Sequence, residues 1–292
     1  MITTTTPALL AFDMDGTLFD STGTVLPGTI VAIREALDRG VTVALASGRD
    51  AWALRHLAVK AGLDPTRLVY LGLNGTTIVD GATDRLLWSA AIDSDLLGTL
   101  MAHLRTFEVT PSVPSGATLY VEDPRGFNVD IEARANAQTV AVVDPLEAVP
   151  VPANKVLVSG RPEILAAQHR AIAEPFTGSL DFAFSAPTHY ECLPTGVNKG
   201  AALAHFCELA GIDLAHTVAF GDNENDIEML SIAGIGVAMG NALDSVKAAA
   251  DLVTADNDSD GIAIVLAERY GLGADFPTGR GPSCEIGHPP AP

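Results

Sequence analysis

The chain has 292 residues, 48% of them hydrophobic, enough for one large domain or two modest ones around a sizeable core. Lys+Arg 17 against Asp+Glu 36 leaves a formal charge of -19, which argues against nucleic acid or an anionic membrane as a partner. The same charge means that an anionic ligand must be held by a local cation, and lysine occurs only at Lys60, Lys155, Lys199 and Lys247.

In chain order, residues 9–12 form a short apolar run that reads as a buried strand, stopped at Asp13-Met14-Asp15-Gly16-Thr17. Residues 28–39 carry apolar side chains at helical spacing and stop at Gly40. A second strand over 41–46 ends in Ser47-Gly48-Arg49, and a helix over 51–61 closes at Gly62. A third strand over 68–73 ends in Asn74-Gly75. This alternation predicts a Rossmann-like parallel α/β sheet with helices on both faces.

The pattern changes after about Asp80. Strand-like pieces at 119–122, 129–131, 155–159 and 182–185 mix with a helix at 163–173, which predicts an inserted α+β cap. Alternation then returns: helices at 200–210, 226–232, 243–249 and 261–270, strands at 217–220, 235–238 and 251–253. The expected division is a core of 1–83 and 190–271, an insert of 84–189 that turns on linkers near 80–85 and 186–191, and a disordered Pro/Gly tail of 272–292. Cys192, Cys207 and Cys284 have no metal-ligand spacing, and free thiols in a reducing cytosol are expected. With neither a leader-like start nor an apolar run of ~20 residues, a soluble cytoplasmic protein is expected.

Four groups fall at predicted strand ends or helix starts: Asp13 with Asp15, Ser47, Lys199, and the run from Asp222 to Asp226. Parallel topology brings such ends to one rim, where ligands of open α/β sheets bind. Carboxylates, a hydroxyl, an ammonium and backbone amides together suit a hard cation such as Mg2+ and the transfer of a phosphoryl group.

These residues resemble the haloacid dehalogenase-like (HAD) phosphatases. Asp13-Met14-Asp15-Gly16-Thr17 is similar to the first motif of that family, Ser47 to the second, Lys199 to the third and Gly221-Asp222-x-x-Asn225-Asp226 to the fourth. Asn74-Gly75, the segment 194–200 and the segment 237–242 resemble the Cof-type subgroup (subclass IIB), which carries a large α+β cap between the second and third motifs. The likeness spans roughly residues 8–270.

The resemblance implies that Asp13 attacks phosphorus and Asp15 serves as acid and base, a task suited to a partly buried carboxyl among other carboxylates. It implies a Mg2+ held by Asp13, the Asp15 backbone carbonyl and Asp222, with Asp226 anchoring its waters. Gly16, Thr17, Ser47 with its neighbours Gly48 and Arg49, Asn74 and Asn225 would meet the substrate. Lys199 would hold Asp13 and the phosphoryl group, with Asn225 orienting Lys199.

Each residue also has a plainer reading. Asp13 and Asp15 taken alone are helix caps, Ser47 a turn residue, Lys199 a solvated lysine, and the 222–226 run an acidic helix start. Arg49 is as well explained by a surface ion pair, and Asn74 by a turn. Arg125, His189, Tyr190 and Glu191 are conceivable substrate contacts in the cap, while Trp52 and Trp88 read as packing residues. The implied function is a Mg2+-dependent phosphatase of a small phosphorylated metabolite, sugar phosphates first. A phosphomutase of similar architecture and a non-catalytic sensor of such a metabolite are the alternatives, and the oligomeric state is left open.

Overall fold

The structure, a computed structural model, describes residues 6–274. It holds two sheets. The larger is built from β1 (Leu9–Asp13), β2 (Thr42–Ala46), β3 (Leu68–Gly72), β4 (Thr77–Asp80) and β5 (Arg85–Ser89) before the insertion, and from β12 (Thr217–Gly221), β13 (Ile235–Ala238) and β14 (Leu252–Val253) after it. Its order is β14-β13-β12-β1-β2-β3-β4-β5, parallel except for β4 and β5.

All five residues of β1 are buried. Alternation sends Leu10 and Phe12 to one apolar layer and Leu9 and Ala11 to the other. The first layer takes α1 (Pro27–Asp38), α2 (Ala51–Lys60) and α9 (Gly261–Tyr270), through Ile33, Leu54 and Leu266 among others. The second takes α6 (Lys199–Ala210), α7 (Ile227–Ile232) and α8 (Asp244–Ala249), through Leu203, Met229 and Val246. A doubly covered parallel sheet explains why its strands read as uninterrupted apolar runs.

The smaller sheet lies between β5 and α6 in sequence. It comprises β6 (Thr110–Ser115), β7 (Thr118–Val121), β8 (Thr139–Val142), β9 (Val156–Ser159), β10 (Leu180–Ala186) and β11 (His189–Pro194), in the order β10-β11-β9-β6-β7-β8. Helices α3 (Ser94–Leu104) and α5 (Pro162–Ala173) pack on it around their own core, which includes Leu100, Val113, Leu165 and Cys192. A short helix, α4 (Val129–Ala135), covers its β7–β8 end.

Several expectations are corrected. Residues 129–131, expected as a strand, open α4: Asn128 takes a left-handed turn, Asp130 and Glu132 favour the first helical turn, and alanines follow. Residues 80–85 turn between β4 and β5, which extend the core sheet as an antiparallel hairpin, so the insertion starts after Ser89 rather than at 84. The composition shift at Asp80 falls inside this hairpin, after the pairing has turned antiparallel between β3 and β4. Residues 186–191 likewise belong to the β10–β11 hairpin of the inserted sheet, which runs on to Pro194. The two crossings are therefore residues 90–93 and 195–198. Leu272, assigned to a disordered tail, is 0% exposed in the first apolar layer, and the Gly273 amide donates to Glu35. Residues 275–292 of that tail, Cys284 included, lie outside the described residues; among the described residues no helix is long and apolar enough to cross a membrane.

Candidate active site

Strand order reverses between β1 and β12, and the crevice beyond such a switch point is where open α/β sheets bind ligands. The register pairs Asp13 with Ala46, so Ser47 leaves the sheet beside it. Phe12 pairs with Phe220, so Asp222 emerges on the other flank. Lys199 reaches the same rim as the first residue of α6, whose start is capped by the Asn198 side chain on the Ala201 amide at 2.8 Å.

Lys199 is 1% exposed, and its Nζ donates to Asp13 Oδ1 and Asp226 Oδ1, each at 2.6 Å. Asp226 Oδ2 accepts from the amides of Asp222 and Asn223 at 3.0 and 3.1 Å. Asp222 Oδ1 accepts from the Thr17 hydroxyl at 2.8 Å. Oxygens of Asp13, Asp222 and Asp226 lie within 4.8 Å of one another. Three carboxylates against one ammonium leave two formal negative charges in a largely buried space, and hard oxygen donors with that excess fit a divalent cation.

The electrostatics agree with that fit. Burial pushes the Asp13 carboxyl well above the usual range; Asp226 adds to the rise, and Lys199 offsets only part of it. Burial also raises Asp222, against the hydrogen bond from Thr17. For Lys199, burial favours the neutral amine, but the charges of Asp13 and Asp226 and their hydrogen bonds outweigh it and hold the ammonium protonated.

Gly16 has φ +86°, and a Cβ there would stand 2.5 Å from Asp222 Oδ2, so the turn after β1 closes against the carboxylate only without a side chain. Ser47 is buried, with its carbonyl accepting from the Asn74 amide at 2.8 Å. Gly75 has φ +93° and lies so close to the Asn198 carbonyl that a Cβ would sit 2.3 Å from it, which packs the Asn74 turn against the start of α6.

Two residues have other surroundings than expected. Asp15 does not sit among the carboxylates: its side chain is 62% exposed and receives Arg49 through Nε at 3.0 Å and Nη2 at 3.2 Å. Asn225 does not bond Lys199, a role that Asp226 fills; its Nδ2 donates to Asn74 Oδ1 at 3.3 Å.

Residues 10–266 match the family model described as haloacid dehalogenase-like hydrolase. The chain belongs to that family. It is 28% identical over 277 residues to a 5-amino-6-(5-phospho-D-ribitylamino)uracil phosphatase from Bacillus subtilis, covering 92% of this chain and 99% of that one. It is 31% identical over 246 residues to the HMP-PP phosphatase of Yersinia enterocolitica, covering 82% and 86%. The solved structure of a HAD subclass IIB sugar phosphatase matches with a TM-score of 0.72 and 25% identity, covering 89% of this chain and 98% of that one. This HAD hydrolase is a phosphatase, a hydrolase of phosphoric monoesters.

The HAD site opens into a cavity of about 870 Å³ whose walls come from both sheets. Asp13, Asp15, Ser47, Gly48, Arg49, Asn74, Lys199 and Asn225 line the core side. Alternation in β11 turns Tyr190 and Cys192 into the insert's apolar core and leaves His189, Glu191 and Leu193 on the cavity. Arg125 pairs with Asp123 at 3.5 Å with 90% of its side chain exposed, away from the cavity. Trp52 does more than pack: its Nε1 donates to the Ala137 carbonyl of the insert at 2.9 Å. Trp88 packs against His205 with the rings tilted by 51° and their centroids 5.1 Å apart.

Sequence reasoning missed Lys155, whose Nζ donates to the Gly48 carbonyl at 2.6 Å and to Glu191 Oε1 at 3.0 Å. Its signal was present: one of four lysines, standing directly before a buried strand. Asn136 was missed as well; its Oδ1 accepts from Arg49 Nη1 at 3.2 Å. Nothing local marks an asparagine after a short helix as a partner for a residue 87 positions away.

Proposed function

We propose that this protein is a Mg2+-dependent phosphatase that hydrolyses a small phosphorylated metabolite, sugar phosphates foremost, through an aspartyl-phosphate on Asp13. One observation carries the reading: the Asp13 carboxylate stands at the floor of a cavity shared by both sheets, held by Lys199 and faced by Asp222. The named relatives, phosphatases of a ribitylaminouracil phosphate, of HMP-PP and of sugar phosphates, support a small phosphorylated substrate.

Asp13 and Asp222 would hold the cation, with the Asp15 carbonyl. Asp226 steadies the arrangement from behind through Lys199 and two backbone amides. A bound dication supplies charge neutralisation between carboxylate and phosphate dianion. Asp13 attacks phosphorus, the ester P–O bond breaks, and Asp15 gives its proton to the leaving oxygen. Asp15 then takes a proton from water as that water attacks the aspartyl-phosphate, which frees Asp13 and inorganic phosphate. Lys199, the Ser47 hydroxyl and the Asn225 amide hold the transferring oxygens, and amides of the turn through Gly16 and Thr17 assist.

The insert acts as a cap. It walls the cavity, excludes water and admits a small molecule while hindering a residue on a folded protein surface. The expected setting is the cytoplasm, with neither nucleic acid nor membrane as partner. Phosphate release from a panel of phosphorylated metabolites, with Mg2+ and with chelator, tests the reading. Chelator-sensitive release is expected, and release unaffected by metal removal would refute it.

A further inference from the structure

Lys155 and Glu191 form an ion pair whose side chains are only 5% and 6% exposed. Both belong to the cap, Lys155 at the entry to β9 and Glu191 on β11, yet each spends a second contact on the core. Lys155 Nζ donates to the Gly48 carbonyl at 2.6 Å, and Glu191 Oε2 accepts from Asn74 Nδ2. Asn74 in turn accepts from Asn225 at 3.3 Å. One buried pair from the cap thus touches the Ser47 loop and the Asn74 turn directly, and Asn225 through Asn74.

The core parts it touches are not held by regular structure. Leu73 and Asn74 have φ 51° and 55°, in the left-handed region that non-glycine residues seldom occupy. The turn is tied to the Ser47 loop by amides of Leu73 and Asn74 on the carbonyls of Arg49 and Ser47, at 2.9 and 2.8 Å. A buried ion pair is a poor source of net stability, since desolvation offsets most of the attraction; its best-attested use is to fix register.

We propose that Lys155 and Glu191 act as one positioning unit: cap docking seats them on the Ser47 loop and the Asn74 turn and thereby places Ser47 and Asn225 for the phosphoryl group. The effect on turnover rests on the phosphatase reading above. The docking itself does not.

The test uses the full chain with Lys155→Met, Glu191→Gln and the double variant Lys155→Met/Glu191→Met. Acetyl phosphate is the substrate, because its acyl group is too short to rely on contacts with the cap. Each single variant is expected to lower kcat by about 10–100-fold, the scale of a misplaced catalytic loop. KM should stay within about threefold, since the pair does not touch this substrate. The double variant removes both charges, so its thermal midpoint should return towards wild type while kcat stays low. A merely structural pair would recover both. Small-angle scattering of Lys155→Met should show a larger radius of gyration than wild type, because an unpaired Glu191 carboxylate favours an undocked cap.

Wild-type kcat on acetyl phosphate in the variants, with KM raised only for larger substrates, would overturn the proposal and make the pair a substrate contact. An unchanged radius of gyration would overturn the docking. If wild type hydrolyses nothing, the phosphatase reading fails while scattering still decides the docking.

Discussion

Asp13 is a carboxylate in a place that disfavours its charge, and that cost is the residue-scale signature of the site. Burial and its acidic neighbours raise its pKa in the folded chain above the unfolded value. A carboxyl shifted in that direction opposes folding progressively as the pH rises above its unfolded value, and the full cost is present once the pH exceeds its folded value. Asp13→Asn should therefore raise the thermal midpoint of the metal-free protein at neutral pH, and added Mg2+ should raise that of wild type more than that of the variant. Equal midpoints without metal would count against a charge-strained site. Asp15 makes a second prediction. As the acid for the leaving oxygen, it matters most for alkyl esters. Asp15→Asn should slow an alkyl phosphate by about 10²–10⁴-fold and an aryl phosphate with an acidic leaving group far less. Equal losses in a side-by-side assay would remove Asp15 from that role. Gly16→Ala forces both a strained φ and a clash with Asp222, so weakened Mg2+ binding by titration calorimetry is expected. Asp13, Ser47, Lys199 and Asp222 were legible because each follows an apolar strand or opens a helix. The Arg49 contact of Asp15 was not, since it depends on a side-chain direction that spacing does not encode.

At the scale of elements, legibility followed burial. The parallel strands β1, β2, β3 and β12 are enclosed on both faces, and an enclosed strand is an apolar run bounded by turns. In the cap the same reasoning weakened. β6 contains Pro111 and Pro114, which read as turn residues, and β8 shows mostly exposed positions. α4 spans seven residues, too few for helical periodicity to outvote Val129 and Ile131, two β-branched residues at strand spacing. The end of the core was hidden differently: Leu272 follows Gly271, a left-handed helix stop, and a lone leucine in a Gly/Pro-rich stretch carries no pattern. Its burial makes it structural. Leu272→Ala should cost about 2–5 kcal/mol in denaturant unfolding, the range for a leucine lost from a packed core. A cost within experimental error would show that the packing of the segment is dispensable.

At the scale of the whole molecule, the two sheets matter for what they enclose. Arg49 to Asn136, Trp52 to Ala137, and Lys155 with Glu191 to Gly48 and Asn74 are all contacts between core and cap, and all but the Trp52 contact line one cavity. No single segment carries such contacts, so they were beyond reading from one chain, whereas the core's topology was not. The measurement that tests the account most directly is phosphate release from phosphorylated metabolites by wild type and Asp13→Asn, each with Mg2+ and with chelator. The account predicts release by wild type with Mg2+ only, and a loss on the order of 10⁴-fold or more in the variant, as expected when a covalent nucleophile is removed. Turnover by Asp13→Asn at the wild-type rate would contradict it.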